Sequence, residues 1–270
     1  MNEEIIQEKL SDLPVGVIHF YPAVGSTNEI ALKLSKEGAD DLTLVIADAQ
    51  TEGKGRLGRR WFSYPGTGLA FSLIFQPESM EQKEYFDIIP RYTGLGALAV
   101  CQVLRERYSL PAKIKWPNDV LINNRKCCGI LVEVQWSGVE LSSIVLGIGI
   151  NITKEAIPIS EELRMMATSV EMELGAKVDR VDLLCQIIHE ILNWRSNLYQ
   201  QLFIQAWESN LAFLGREVVV IEKTKSGGKG GWRVVGKISG LERDGALRLT
   251  TPDGEDIVIH NGEIFHQSRV

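Results

Sequence analysis

The sequence contains few cysteines and histidines, and neither residue type is spaced for a metal or redox site. Its four cysteines include no C-x-x-C pair, and Cys127 and Cys128 are adjacent, which is poor geometry for a bond between them. The four histidines are scattered along the chain. These absences argue against a zinc knuckle and a dithiol redox motif, and they favour buried free thiols in a reducing compartment.

Excess positive charge and long apolar runs are also missing. The chain has 29 Lys and Arg against 35 Asp and Glu, so a nucleic-acid-binding protein is not indicated and any recognition of anions must be local. The N-terminus is acidic and amphipathic, unlike a secretory signal. The longest apolar stretch, Gly94 to Leu104, is shorter than the ~20 residues of a membrane span. We therefore expect a soluble, cytoplasmic protein that does not bind membranes.

The apolar pattern predicts an α+β fold with a mixed central β-sheet flanked by helices. Predicted strands are Val17–Tyr21, Leu42–Asp48, Gly68–Phe75, Gly129–Val134 and Ser143–Ile150. Predicted helices are Ser26–Gly38, where Ser26 and Glu29 have capping-box spacing, Tyr85–Tyr108, and Asp179 to about Asn210. Asn123-Asn124 suits a turn with positive φ.

From Arg216 onward the pattern changes to short strands separated by Asp-Gly turns and by the glycine-rich segment "SGGKGG". This composition predicts a small all-β domain, with a barrel as the favoured architecture. We therefore expect two domains, residues 1–212 and 213–270. We read the basic segment that holds "SGGKGG" as a solvated hairpin loop.

The segment "TEGKGRLGRRW", Thr51 to Trp61, concentrates cations and glycines. Gly53 to Gly58 fits the G-x-G-x-x-G pattern, but a dinucleotide fingerprint must open a helix, and here a Pro-Gly segment and a β-like run follow. The segment does not match a Walker loop either, because the residue directly after Lys54 is Gly55 and not Ser or Thr. The segment is therefore either a flexible loop that presents forked donors to an anion or a solvated basic loop.

A second cluster surrounds "WPND", where Lys113, Lys115, Arg125 and Lys126 stand among strand residues. Pro117 interrupts the strand and exposes Asn118 and Asp119. An Asn suits recognition of a base edge, and an Asp suits orienting a lysine or holding Mg²⁺ through water. The plainer alternatives are an Asx turn at these residues and core packing of Trp116.

The third segment, "GIGIN", runs from Gly147 to Asn151. Its two glycines lie on one face of a strand and leave space for a ligand against the sheet. A bulge or close backbone packing is the alternative interpretation.

Together, "GKGRLGRRW", "KWPNDVLINNRKCCGILVE" and "GIGIN", in this order, resemble the biotin protein ligases, that is, the biotin–[acetyl-CoA-carboxylase] ligases. The resemblance extends to "STN" at Ser26–Asn28 and to Gln50. It covers about residues 15 to 210, and the C-terminal β domain is similar to the SH3-like barrel of the family. Such enzymes join biotin to ATP, releasing pyrophosphate, and then transfer biotin from biotinyl-5′-AMP to a lysine of a biotin carboxyl carrier protein domain.

The resemblance implies a role for each matching residue. A catalytic role is implied for Arg56, Lys115 and Asp119, where Asp119 either accepts the proton of the acceptor lysine or orients that lysine. Contacts with biotin are implied for Ser26, Thr27, Asn28, Gln50, Lys54, Gly55, Arg56, Lys126, Gly129, Gly147 and Gly149. Contacts with ATP or the adenylate are implied for Arg56, Arg59, Trp61, Lys115, Asn118, Asp119 and Asn151. Mg²⁺ is expected with ATP, and its ligands stay unassigned.

The chain departs from the family pattern at Lys54, where the usual residue is Arg; the charge is kept and the bidentate fork is lost. The first catalytic strand begins by Val17, so we expect a monofunctional enzyme without the DNA-binding module of some members. A homodimer that pairs through the sheet is an open expectation. We also expect Gly53 to Arg60 to be mobile without ligand, because a loop that orders over ligand shields a water-sensitive anhydride.

Two rival functions remain. One is a lipoate ligase or octanoyltransferase, whose transferase form would need Cys127 or Cys128 as nucleophile. The other is a non-catalytic biotin sensor. The ligase interpretation carries one geometric condition: the cationic loop and the Trp-Pro-Asn-Asp corner must converge on one cavity.

Overall fold

The computed structural model describes residues 1–77, 82–157, 166–222 and 232–266, and it confirms an α+β fold. The described helices are α1 (Glu3–Leu10), α2 (Thr27–Lys36), α3 (Gln82–Glu106), α4 (Val170–Leu174), α5 (Arg180–Arg195) and α6 (Gln201–Ser209). The strands of the first sheet are β1 (Ile18–Tyr21), β2 (Leu44–Ala47), β3 (Gly68–Phe75), β4 (Ala112–Lys115), β5 (Asp119–Ile122), β6 (Arg125–Ser137) and β7 (Glu140–Asn151). Those of the second are β8 (Glu217–Ile221), β9 (Arg233–Leu241), β10 (Leu247–Thr250), β11 (Asp256–Ile259) and β12 (Glu263–His266).

The first sheet is mixed and has the order β1-β2-β3-β7-β6-β5-β4. β1 and β2 run parallel, and the other neighbours pair antiparallel. All residues of β3 are buried, which explains why its sequence is apolar on both faces, apart from Ser72, instead of alternating. The sheet is covered on both faces: α2 packs on one through a small apolar cluster that includes Ala31 and Val45, and α3 and α5 belong to the main core.

Most predicted elements are present with shifts of a few residues at their ends, but the long helix from Asp179 to Asn210 is wrong. Asp179 does cap α5, accepting from the backbone N–H groups of Val181 and Asp182 at 2.8 and 3.1 Å. The helix stops at Arg195 and resumes as α6. Between them Leu198 turns into the core, and its carbonyl accepts a 2.8 Å hydrogen bond from Arg91. Tertiary packing therefore interrupts a sequence that is helical by pattern.

The C-terminal strands form a separate antiparallel sheet with the order β11-β10-β9-β8-β12. β12 was not predicted; it pairs with β8, far from it in sequence. A hydrogen bond joins this sheet to the segment between β4 and β5: Trp116 Nε1 donates to the carbonyl of Gly245 at 2.9 Å. The SH3-like character of the sheet stays a prediction. The "SGGKGG" segment, residues 226–231, lies outside the described residues.

No helix within the described ranges is long and apolar enough to cross a membrane.

Candidate active site

One cavity of about 550 Å³ opens where the cationic loop, the Trp-Pro-Asn-Asp corner and the C-terminal sheet meet. The geometric condition set by the sequence is therefore met: both segments line the same space. Every residue given a role from sequence lines this cavity: Ser26, Thr27, Asn28, Gln50, Lys54, Gly55, Arg56, Arg59, Trp61, Lys115, Asn118, Asp119, Lys126, Gly129, Gly147, Gly149 and Asn151. Their individual roles stay predictions.

The loop folds back on itself as a narrow hairpin. Trp61 N–H donates to the Gly53 carbonyl at 2.8 Å, and a Cβ at Gly53 would stand 2.3 Å from the Trp61 carbonyl oxygen, so this close approach requires glycine. At the tip, Leu57 and Gly58 have positive φ values of 58° and 75°. Arg56 reaches across the cavity, and its Nη1 donates to Asn118 Oδ1 at 3.1 Å. This hydrogen bond joins the loop directly to the corner.

Lys54 contacts the start of α2, where its Nζ lies 2.6 Å from a carboxylate oxygen of Glu29. The hydrogen bond that Lys54 donates to Glu29 raises the pKa of Lys54 above its ordinary value, against a smaller opposing effect of burial. The predicted capping box is thus wrong. Ser26 does hold the N-cap position, but its side chain makes no capping hydrogen bond to a described residue, and Glu29 turns to the loop instead.

The corner places charged groups between β4 and β5. Trp116 is buried, as the packing alternative predicted, and it also lines the cavity. Asn118 is held by its Nδ2, which donates to the Ile130 carbonyl at 3.0 Å, and Asp119 Oδ1 lies 2.6 Å from Lys126 Nζ. Lys115 is largely buried, and burial lowers its pKa, partly offset by the charges of Asp119 and Glu263. The corner therefore holds cations in a partly dehydrated environment.

The glycines of "GIGIN" leave space that other side chains fill. A Cβ at Gly147 would stand 2.1 Å from Asn28 Oδ1, and one at Gly149 would stand 2.5 Å from the Trp61 indole. Both glycines also line the cavity. They therefore seat Asn28 and Trp61 close against the sheet, and these two side chains form part of the cavity wall.

The C-terminal sheet supplies residues that sequence reasoning missed. Asn261 Oδ1 accepts from Arg56 Nη2 at 3.0 Å, and the carboxylate of Glu263 accepts two hydrogen bonds from Arg59 at 2.9 and 2.6 Å. The Lys115 ammonium lies 5.6 Å from the ring centroid of Phe265. These three residues stand two apart in sequence, as expected for one face of an extended segment, and each contacts a cation that lies far earlier in the chain.

These contacts change the electrostatics of the arginines. The hydrogen bonds that Arg59 donates to Glu263 raise the pKa of Arg59, whereas burial lowers the pKa of Arg56. No signal in "HNGEIFH" marks this segment as part of a site, because its role depends on how the two sheets dock.

Comparison with known proteins identifies the chain's relatives. Residues 20–151 match the biotin/lipoate A/B protein ligase family. Over 242 residues the chain is 34% identical to the bifunctional ligase/repressor BirA of Bacillus subtilis. This alignment covers 87% of this chain and 70% of BirA. It is 32% identical over 250 residues to the biotin–[acetyl-CoA-carboxylase] ligase of Paracoccus denitrificans, covering 89% of this chain and 96% of that protein.

The chain belongs to the biotin/lipoate A/B protein ligase family. Among solved structures, the biotin protein ligase of Aquifex aeolicus in complex with biotin and ATP is similar to this family member with a TM-score of 0.74 and 30% identity. The match covers 92% of this chain and 97% of that one. The Leishmania major biotin protein ligase in complex with biotinyl-5-AMP is 22% identical, with a TM-score of 0.58, and therefore supports the fold alone.

The thiols of this ligase-family chain do not suit nucleophilic catalysis. Cys127 and Cys128 are fully buried in β6, and neither lines the cavity. Burial raises the pKa of both thiols well above the ordinary value, so both remain protonated near neutral pH. The geometry thus weighs against a transferase that would use either cysteine.

Proposed function

We propose that the protein is an ATP-dependent ligase that activates biotin as biotinyl-5′-AMP and transfers it to a lysine of a biotin carboxyl carrier protein domain. The observation that carries the proposal is the convergence of Arg56, Arg59, Lys115 and Lys126 on one cavity that is also lined by the uncharged polar side chains of Ser26, Thr27, Asn28 and Gln50. Such a cavity suits a conjugate of a neutral ring system with a nucleotide. The names of the relatives and the complex with biotin and ATP point to the same chemistry.

In the first half-reaction, an oxygen of the biotin carboxylate attacks the α-phosphorus of ATP. The bond between the α-phosphorus and the oxygen that bridges the α- and β-phosphates breaks, and pyrophosphate leaves. The product, biotinyl-5′-AMP, is a mixed anhydride of the biotin carboxylate and AMP. Both reactants are anions, so the protein must reduce their repulsion and align them. We assign this to Arg56 and Lys115, which are largely buried and therefore act in a medium of low dielectric. Arg59 and Asn118 then contact the nucleotide.

Asp119 and Mg²⁺ are assigned together. Asp119 Oδ1 is buried and forms an ion pair with Lys126 but receives no well-aligned hydrogen bond from the described residues, so it retains acceptor capacity. The described residues contain no cluster of three or more ligating side chains, which fits Mg²⁺ held by one carboxylate and by substrate phosphates. When bound, Mg²⁺ would neutralise charge on the phosphates. Asp119 would hold the ion in the first half-reaction.

In the second half-reaction, the neutral ε-amine of the acceptor lysine attacks the biotinyl carbonyl carbon. The bond to the phosphate oxygen breaks, AMP leaves, and the nitrogen loses a proton. We assign to Asp119, which lies at the corner, either acceptance of that proton or orientation of the amine.

Three further parts of the proposal concern organisation. We place the domain boundary near residue 213, since the first sheet ends before it and the second begins after it. We retain the expectations that Gly53 to Arg60 is mobile without ligand and that the protein forms a homodimer through the first sheet. Proteolysis with and without ligands, and sedimentation of the free protein, would test these.

The deciding experiment measures pyrophosphate release and carrier labelling with biotin, ATP and a biotin carboxyl carrier domain. We expect both with biotin and neither with lipoate or octanoate. A carrier whose acceptor lysine is replaced by Arg should remain unlabelled while the adenylate still forms. Pyrophosphate release with lipoate alone would reverse the assignment, and binding of biotin without turnover would indicate a sensor.

A matched pair of variants tests the site itself. Lys115→Ala should reduce adenylation by at least about a hundredfold, because one charged contact to the transition state is lost. Lys113→Ala, on the same strand but outside the cavity lining, should stay close to wild type. Equal effects of both variants would argue against this cavity as the place of reaction.

A further inference from the structure

Behind the part of the cavity wall that Thr27, Asn28 and Gln50 form, a chain of polar side chains continues into the sheet. Asn28 is 3% exposed, and its Nδ2 donates to Glu133 Oε2 at 2.8 Å and to the Leu131 carbonyl at 3.2 Å. Its Oδ1 accepts from Ser72 Oγ at 2.7 Å. Ser72 is fully buried, and neither Ser72 nor Glu133 lines the cavity. These two residues therefore stand behind the cavity wall.

The strand register explains why this arrangement forms. Ser72 on β3 pairs with Gly147 on β7, and Gly147 pairs with Leu131 on β6, so the three residues lie in one row across the sheet. Gly147 has no side chain, and Asn28 occupies the space above it. Glu133 lies two residues beyond Leu131 on the same face of β6. Asn28 is thus held from both sides.

The donors and acceptors fix the direction of every bond in the chain. A carboxylate only accepts, so the amide nitrogen of Asn28 must face Glu133 and its oxygen must face Ser72. Ser72 has a single hydroxyl proton, and Asn28 Oδ1 takes it. The lone pairs of Ser72 Oγ are then left to accept from Thr27.

Thr27 continues the chain to Gln50. Thr27 Oγ1 lies 2.7 Å from Ser72 Oγ, and Thr27 N–H donates to Gln50 Oε1 at 2.8 Å. The Thr27 hydroxyl could instead donate to Gln50 Oε1, at 3.1 Å. In that case the oxygens of Thr27 and Ser72 would have no proton between them at 2.7 Å, so donation to Ser72 is favoured. With Oε1 bound to the backbone, the Gln50 amide turns its Nε2 away from Thr27. Gln50 is thus oriented by the Thr27 backbone, whereas the direction of the Thr27 hydroxyl depends, through Ser72 and Asn28, on the two acceptors of Asn28 Nδ2, Glu133 and the Leu131 carbonyl.

We propose that Glu133 and Ser72 are positioning residues for the biotin end of the cavity: Glu133, together with the Leu131 carbonyl, fixes the orientation of Asn28, and Ser72 passes this orientation to the Thr27 hydroxyl. The inference rests on the proposed function, in which the neutral ring system of biotin occupies this end. A neutral ligand is recognised by the direction of hydrogen bonds, and a reversed amide would present an acceptor where the ligand needs a donor.

The test compares Glu133→Ala, Glu133→Gln and Ser72→Ala in the full chain. Each is measured by pyrophosphate release, with KM for biotin and for ATP, and by calorimetric titration with biotin alone. Glu133→Ala and Ser72→Ala should raise KM and Kd for biotin about tenfold and leave KM for ATP within about twofold. Glu133→Gln should stay within about threefold of wild type, because its Oε1 still accepts from Asn28.

Two controls separate this role from a general effect on structure. Gln135→Ala, two residues along the same face of β6 and outside the network, should match wild type. In an Asn28→Ala background, Glu133→Ala should add less than about twofold, because a residue that acts through Asn28 has no effect once Asn28 is removed.

Several results would overturn the proposal. These are equal rises in both KM values with a lower melting temperature, Glu133→Gln as impaired as Glu133→Ala, or full additivity with Asn28→Ala. If wild type binds biotin without turnover, the ligase assignment fails while the Kd series still tests the positioning role. If wild type does not bind biotin, both fail.

Discussion

Replacing Gly147 by Ala tests how the sheet and α2 form the cavity wall. The new Cβ would stand 2.1 Å from Asn28 Oδ1 and 2.8 Å from its Cγ, whereas real Cβ atoms essentially never come closer than 3.0 Å. Asn28 must therefore move by close to an ångström, and it holds three hydrogen bonds, to Ser72, Glu133 and Leu131. At about 1 kcal/mol each, their loss lowers the free energy of unfolding by about 3 kcal/mol.

The assay for Gly147→Ala is urea unfolding followed by fluorescence, together with KM for biotin. Three kcal/mol is a large share of the roughly 5–15 kcal/mol of a typical domain, so the shift is easily measured. The matched control is Gly25→Ala, where the new Cβ meets only a Glu29 side-chain oxygen at 3.4 Å, an ordinary contact. We expect that control to stay within about 1 kcal/mol of wild type.

A double variant shows whether the clash is with Asn28. In an Asn28→Ala background the obstructing oxygen is gone, so adding Gly147→Ala should cost less than about 1 kcal/mol. An undiminished cost of about 3 kcal/mol in that background would refute the reasoning, and so would a single Gly147→Ala variant with wild-type stability and KM.

Three further predictions concern the cations. Arg56→Gly should release biotinyl-5′-AMP about ten- to a hundredfold faster, since charged hydrogen bonds are lost; adenylate retained as long as in wild type would contradict its role. Glu263→Gln should lower the free energy of unfolding by about 1 kcal/mol or less, because Arg59 is half exposed, and the loss should shrink in 1 M salt; a loss independent of salt would contradict an ionic contact. Burial lowers the pKa of Lys115, and the reaction needs its ammonium form. The fall of kcat/KM with rising pH should therefore begin below the pKa of an ordinary lysine. Lys115→Arg should move this fall to higher pH, because an arginine stays charged.

The sequence alone determined most of the first sheet and those residues of the cavity wall that precede the C-terminal sheet. Segments that are apolar on both faces except for one residue, such as Gly68–Phe75, define buried strands. Asn123 and Asn124 adopt the positive φ values, 50° and 60°, that their turn requires. The family motifs placed the site residues correctly in one cavity, since glycines, cations and a Pro turn leave signals in the order of residues.

Only the tertiary structure decided the rest. The helix predicted from Asp179 to Asn210 is interrupted between α5 and α6, where Leu198 is buried. Glu29 pairs with Lys54 instead of capping α2. The contacts of Glu263 with Arg59 join residues about two hundred positions apart, and the position of Glu133 behind Asn28 depends on the register of three strands. The spacing of apolar residues along a helix or strand predicts on which face of that helix or strand a side chain lies. It carries no information about which distant element that face meets, because docking is set by the packing of the whole core.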